Sequence, residues 1–505
     1  MKTTFNLTSF ICISIFLLST LSLKAQWDTE VRMTDAPGYS LTSLSNQRNI
    51  ATSGNNVHMV YYDQRDAQPP YTIESQFEVY YRLSTDDGTT FGTEQRLTFG
   101  SDIDRSINPS IAVSGSVIHV IYDAKRNSGA NREVCYMRSD DNGATWSAEI
   151  SLTSGVSMQT NASIASSGSY VHVAYYDNSA GNYEIFHLRS SNGGNTWSAP
   201  ARMTNNSGNS DSPCLAASGS KVYLVWADFS SGKWELFFRK STNNGQSFSN
   251  ALRITGTPAD DARYPSLTVS GNYIHVVFSE LSSGNIRLRY VVSNNDGGKW
   301  SKETQLVSST YTNFVYMPSI TSSGSDVHLG YAFACGYIYY KKSTNNGTSW
   351  QGTVSLTPQG YHCRPSIAVS GSTVHMLYYN NAEYLPESSG NVEVWYRRNT
   401  NNGSAPFIEP QKDNIGTPEV FELSQNYPNP FNPSTSISFN IPVSGYTTLK
   451  IFDITGKEVA ELVNGELNEG SHSFLFNAEN LATGVYYYRL ESSGNVDVKK
   501  MMLVK

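Results

Sequence analysis

The chain has 505 residues, too many for one ordinary core, so two or more units are expected. With 36 Lys and Arg against 43 Asp and Glu the formal net charge is −7, and the basic residues are scattered. That balance excludes the positive face a nucleic-acid partner requires.

Residues 1–25 read as a secretory signal peptide. Lys2 gives the positive start, Phe10 to Leu23 the short apolar stretch, and Ala25 a small residue for cleavage before Gln26. An uncleaved membrane anchor is the alternative. No later stretch approaches spanning length, so no transmembrane segment is expected in the mature chain. Removing Cys12 with the signal leaves Cys135, Cys214, Cys335 and Cys363, without CxxC or Cys/His spacing suited to zinc. Neither a metal nor another cofactor is expected. Export permits disulfides, and Cys335 with Cys363 is the pair to test, against buried free thiols in strands.

The middle of the chain is a repeat. PSIAVSG at 109–115 recurs as PSLTVSG at 265–271, PSITSSG at 318–324 and PSIAVSG at 365–371, with weaker copies ending at Gly54, Gly168 and Gly219. Each copy runs into alternating apolar strands such as VHVAYYD (171–177), joined through Ser-Gly turns. A turn of pattern S-x-D/N-x-G-x-x-W/F follows, as in STDDGTTF (84–91) and SDDNGATW (139–146). Its acceptors are Asp86, Asp141, Asn192, Asn243, Asn295, Asn345 and Asn401. The Asp or Asn is expected to bond amides across the turn, the Gly to take positive φ, and the aromatic to pack under the hairpin. The seventh copy, NTNNGSAP (399–406), lacks the aromatic. These motifs resemble the BNR or Asp-box repeats of sialidase-like β-propellers, a resemblance that speaks to fold more than to activity.

The glycines of these turns are 50 to 56 residues apart, which suits a four-stranded blade. In each copy the aromatic opens a fourth strand, as in WSAPARMT (197–204), and only the seventh has none. WDTEVRMT (27–34) is the same unit at the other end of the chain. The reading is therefore a seven-bladed β-propeller over 26–408, closed by the N-terminal strand completing the last blade.

A linker with Pro410 and Gly416 (409–420) leads to 421–505. There the alternating runs LKIFDITGKEVAEL (449–462) and LATGVYYYRL (481–490) predict a small Ig-like β-sandwich, so the whole chain is all-β. With YPNPFNPST (427–435), these runs closely resemble the C-terminal sorting domains of the type IX secretion system. The resemblance implies partnership with that machinery and a secreted or outer-surface location reached through the periplasm. A generic Ig-like adhesion domain is the alternative.

Candidate ligand residues belong where innermost strands begin. The sialidase resemblance implies an Arg there that holds a substrate carboxylate in an R-I-P motif. Arg263 in ARYPSL (262–267) matches best, Arg364 is displaced by one residue, Arg105 lies three positions before its Asn108-Pro109 step, and Arg48 occupies a Pro position. The motif itself is absent, seven blades depart from the six of sialidases, and no Tyr nucleophile or Asp acid/base stands out. Tyr316, Tyr361 and Trp234, with the long loops 63–78 and 380–393, offer a surface for stacking sugars. Carboxylates and histidines that recur in most blades read as structural. The expected function is an exported propeller that binds an extracellular glycan or surface protein. A sialidase-like exo-glycosidase and a structural envelope component are the alternatives.

Overall fold

The computed structural model describes residues 27–504, apart from 36–37, 44–46, 68–75, 101–104, 127–130, 155–156, 257–260, 283–284, 310–316, 334–335, 358–361, 382–391, 404–420, 424, 427–428, 468–469 and 480. The expected signal peptide (1–25) and linker (409–420) lie outside the described residues. Two compact units are present, Met1–Pro406 and Phe407–Lys505. All described regular elements are strands, and no described helix is long and apolar enough to cross a membrane.

The first unit contains seven sheets. In blade two, Arg105–Ser114, Val117–Lys125, Glu133–Ser139 and Ile150–Ser151 pair antiparallel from the inside outward. Blades three, four, five, six and seven begin with the inner strands Gln159–Ser167, Ser210–Ser218, Asp261–Ser270, Ser319–Ser323 and His362–Ser370. Blade one's inner strand is split into Ser40–Leu41 and Ile50–Ser53, both paired with Asn56–Asp63. Most outer strands are shorter than the sequence suggests, two residues as in Ala201–Arg202, while that of blade five runs over Thr304–Ser309.

The ring closes through the N-terminus. Val31 and Arg32 pair with Tyr396 and Trp395 as the outer strand of blade seven. Backbone bonds from Asp28 N to Arg398 O (2.8 Å) and from Met33 N to Val394 O (2.7 Å) extend that ladder. On the inside, Asn49 N donates to Ser366 Oγ at 2.9 Å and Thr52 Oγ1 to Val369 O at 2.8 Å. Met59 and Tyr61 of blade one share a core with Cys363 and Leu377 of blade seven.

The Asp-box turns hold each blade to its predecessor. Ser84 Oγ donates to Asp86 Oδ1 and accepts from Gly88 N, both at 2.8 Å, while Thr90 N donates to Asp86 Oδ1 at 2.8 Å. The Thr90 amide and hydroxyl hold the Asp86 carboxyl down at about 2, and Asp141 is held at about 2 by the Thr145 hydroxyl and amide. Asn192, Asn243, Asn295 and Asn345 repeat the bonding. In the seventh turn Asn401 N donates to Asn399 Oδ1 at 2.9 Å. The Gly has positive φ, as expected, and the residue before it is left-handed in most copies, for example Asp87 at 58°. Gly347 (φ 77°) lies so close to the neighbouring blade that an added Cβ would meet Tyr290 Oη at 1.8 Å.

Each box aromatic packs against a ring of the preceding blade rather than under its own hairpin. Trp146 meets Tyr81 at 5.0 Å, Trp197 meets Tyr136 at 5.0 Å and Trp350 meets Tyr290 at 5.2 Å, all edge-on. Blade seven has no aromatic of its own, and Trp27 takes the place, edge-on to Tyr340 of blade six at 5.0 Å. The recurring histidines brace these rings from behind. Nδ1 of His58, His119, His275, His328 and His375 lies 2.6 to 2.8 Å from the hydroxyl of Tyr81, Tyr136, Tyr290, Tyr340 and Tyr396. His172 meets His187 in the same way at 3.3 Å.

Cys135 and Cys214 are buried free thiols. Cys363 is disulfide-bonded, and Cys335, its expected partner, lies outside the described residues. The second unit has a three-stranded and a four-stranded antiparallel sheet. Ile437 and Phe439 from one, and Leu449, Ile451, Tyr488 and Leu503 from the other, form its core, as the alternating pattern predicts.

Candidate functional site

The inner strands begin at one end of the central channel and finish at the Ser-Gly turns at the other. At the starting end five of them carry a bulge, with register slips at Ile107/Ser110, Thr160/Ser163, Asp211/Cys214, Arg263/Ser266 and Cys363/Ser366. The residue before the Pro or Ala in each bulge is left-handed: Asn108 (52°), Asn161 (59°), Ser212 (52°), Tyr264 (55°) and Arg364 (47°). Such a backbone costs about 1–3 kcal/mol per residue, and its effect is to re-aim side chains at the channel mouth.

Polar contacts run from blade to blade around this mouth. Gln47 Nε2 donates to Asn108 O at 3.2 Å, and Asn108 Nδ2 donates to Asp123 Oδ2 at 3.0 Å. Asp123 also accepts from Thr160 Oγ1 (2.5 Å) and Asn161 N (3.1 Å) of blade three. Burial pushes the Asp123 carboxyl up, and these donors work against the shift. Tyr176 follows, its phenol pushed up first by burial and then by Asp123 and Asp211.

Arg263 is the best-framed of the sequence candidates. Its guanidinium lies over the Trp234 ring at 4.1 Å and near the Tyr264 ring at 5.3 Å, and Nη2 donates to Asp211 Oδ2 of blade four at 2.5 Å. Burial raises the Asp211 pKa, and Arg263 opposes that rise. Arg263 Nε and Asp211 Oδ1 are both buried without a hydrogen-bond partner among the described residues. A donor and an acceptor of one ion pair are thus left without a partner, the cation of the pair lying over the Trp234 ring.

The other candidates do not converge on this pair. Arg364 donates to Tyr62 Oη at 3.2 Å and approaches the Tyr379 ring at 5.7 Å, with Tyr264 close enough to act on its charge. Arg48 turns into the channel. Arg105 sits over the Phe77 ring at 5.6 Å, between blades one and two. Tyr316 and Tyr361 lie outside the described residues, as do the middles of both long loops. Tyr176 and Asp211 escaped the sequence reading, and Asp123 is one of the recurring strand-end carboxylates that it takes as structural. No local signal set them apart: Asp211 stands two residues before Pro213, while Asp123 and Tyr176 lie in the second strands Val117–Lys125 and Tyr170–Asp177.

The repeated carboxylates serve the blades. Glu78 pairs with Arg96 (3.0 Å), Glu184 with Arg202 (2.9 Å) and Glu235 with Arg253 (2.7 Å), each tying a third strand to its fourth. Asp63, Asp177 and Asp228 accept from backbone amides of the turns that follow them. Among the described residues no three His, Cys, Asp or Glu side chains gather as metal ligands.

No curated protein matches the chain. Among solved structures, an ulvan lyase of the polysaccharide lyases is 11% identical with a TM-score of 0.50, over 72% of this chain and 93% of that one. A protein of unknown function from Dyadobacter fermentans is 14% identical with a TM-score of 0.45, over 59% and 96%. The sialidase of Trypanosoma rangeli is 10% identical with a TM-score of 0.44, over 95% and 89%. At 11% identity the likeness to the ulvan lyase is one of fold. The family model of the secretion system C-terminal sorting domain matches residues 425–505, which marks the chain for type IX export to the cell surface or beyond. The model of the BNR repeat-like domain matches residues 13–276, more than half of the chain, and the protein belongs to that family.

Proposed function

We propose that this exported propeller binds a glycan at the channel mouth, with Arg263, Asp211 and Trp234 as the primary contacts. The observation that carries the reading is the unspent hydrogen-bonding capacity of Arg263 Nε and Asp211 Oδ1 beside the Trp234 ring. A sugar hydroxyl donates and accepts at once, so it suits an ion pair with hydrogen-bonding capacity left on both partners, while a pyranose face suits the indole. The pair is neutral overall, which favours hydroxyls over a free carboxylate and weighs against the sialidase reading. Arg364 and Tyr379 extend the surface toward blade seven.

A hydrolytic reading rests on Tyr176 lying within electrostatic reach of Asp123 and Asp211. One experiment separates the two. The full chain is screened on a glycan array, and any hit is titrated by Trp fluorescence alongside an assay for released reducing sugar. Binding without release is expected, with Arg263→Ala and Trp234→Ala each weakening it by about tenfold or more. Sugar release that disappears in Asp211→Asn would favour catalysis instead. Binding that survives both substitutions places the site elsewhere.

A further inference from the structure

Arg48 occupies the inner-strand position at which blades two, four, five, six and seven carry Pro109, Pro213, Pro265, Pro318 and Pro365. Its amide is tied to blade two, donating to Ser110 Oγ at 3.1 Å. The side chain leaves that neighbourhood. Nη2 donates to Leu267 O of blade five at 2.8 Å, and the guanidinium acts on the Cys214 thiol of blade four. Blade one borders blades two and seven, so a side chain that reaches blades four and five crosses the central channel. There it lines a cavity of about 200 Å³ walled by the inner strands of all seven blades.

This charge has little to balance it. Leu267 O engages one of five N–H donors. Burial presses the Arg48 pKa down, and the one group opposing it is the Cys214 thiol, itself pushed up to about 11 by burial and therefore neutral. No carboxylate among the described residues pairs with Arg48. A guanidinium keeps its proton even so, and a half-buried cation facing the channel without a counter-charge favours an anion there. On the same cavity wall the buried Ser166 Oγ has no partner among the described residues. Ala51, Ala112, Ala165 and Ala368 line the cavity with small side chains, leaving space several times the ~30 Å³ share of one water.

We propose that the central channel is a binding site for a small monovalent inorganic anion of the halide class, held by the Arg48 guanidinium and the Ser166 hydroxyl. The site is separate from the glycan surface at the mouth, and its role is to neutralise the cation that spans the ring.

The probe is chloride. Thermal unfolding of the full chain is followed by Trp fluorescence while sodium chloride is replaced by sodium gluconate at constant ionic strength. Tm should rise with chloride by about 2 °C or more. In Arg48→Met the response should vanish, and in Ser166→Ala it should shrink. Bromide-soaked crystals of the unaltered protein should show an anomalous peak within hydrogen-bond reach of the guanidinium. A Tm indifferent to chloride, or an equal response in Arg48→Met, overturns the proposal. Should Arg48→Met fail to fold, the bromide map decides, and a channel without a peak overturns the site.

Discussion

Ring closure by the N-terminal strand makes Trp27 the most informative residue to remove. The indole is 5% exposed and edge-on to Tyr340, in a core with Ile338, Leu356, Ile367 and Tyr378. A buried Trp→Ala change costs about 3–5 kcal/mol from lost transfer energy and the cavity left behind. Two features bound the loss for Trp27→Ala. The segment can detach, so the cost cannot exceed what docking 27–34 contributes. Detachment in turn uncovers Met33 (3% exposed) and strips Glu393 of its bonds from Arg32 and Thr34, so it is not an inexpensive escape. The expectation is a loss of about 3 kcal/mol, with a larger one on deleting 26–34. Val31→Ala, on a side chain 46% exposed in the same strand, should stay within about 0.5 kcal/mol. Urea unfolding read by Trp fluorescence suits the test, because all eight tryptophans fall between Trp27 and Trp395 and the sorting unit is silent. The midpoint should fall with the slope unchanged. A midpoint for Trp27→Ala that coincides with that of Val31→Ala would refute the closure argument.

Acid should weaken the propeller through its ring-bracing histidines. Burial holds His58, His119, His172, His275, His328 and His375 at about 4 and His187 at about 3. The unfolded chain protonates them near 6.5, so unfolding takes up protons as pH falls from about 6.5 to 4, and stability held above that window is lost across it. His275→Phe, which copies the ring packing of Tyr223 on Phe238 in blade four, should lower the proton uptake on unfolding at pH 5 by about one, measured from the pH dependence of the urea midpoint. Gly347→Ala should destabilise well beyond Gly54→Ala, because both have positive φ but only the first drives a Cβ into a neighbouring blade; equal losses in urea would sink that distinction. Deleting 421–505 should strand a folded propeller in the host periplasm, as read by cell fractionation, and its continued appearance outside the cell would contradict the sorting role.

The parts of the fold that were legible are those whose chemistry is local. Ser84, Asp86 and Gly88 make a turn whose bonds all fall within seven residues, so every copy announces itself. The strand at 27–34 could be placed because it reproduces a segment the last repeat lacks. Sequence distance hid the rest. Trp146 is partnered by a Tyr 65 positions earlier, Arg263 by an Asp 52 positions earlier, and Arg48 by a carbonyl 219 positions later. Each pairing depends on how blades sit around a ring, which no single repeat encodes. Four arginines at nominally similar repeat positions read as one cluster, yet the bulges and the extra reach of Arg48 send them to separate places.

The two ends of the channel are under different constraints, and this argues for the mouth as the site whatever the ligand proves to be. At the Asp-box end the serine and the Asp or Asn are committed to holding the turn, and the glycine and the aromatic to the neighbouring blade, so a change in one copy opens a seam in the ring. At the mouth the bulge fixes the backbone, while the residue it presents is Asn108, Asn161, Ser212, Tyr264 or Arg364 from blade to blade. Five strained residues at about 1–3 kcal/mol each are a substantial load for a domain of ordinary stability. A left-handed backbone recurs at both ends, as at Asp87 in the Asp-box turn, but at the mouth it falls on the one variable position and beside the unsatisfied Arg263 and Asp211, as a recognition surface on a closed scaffold requires.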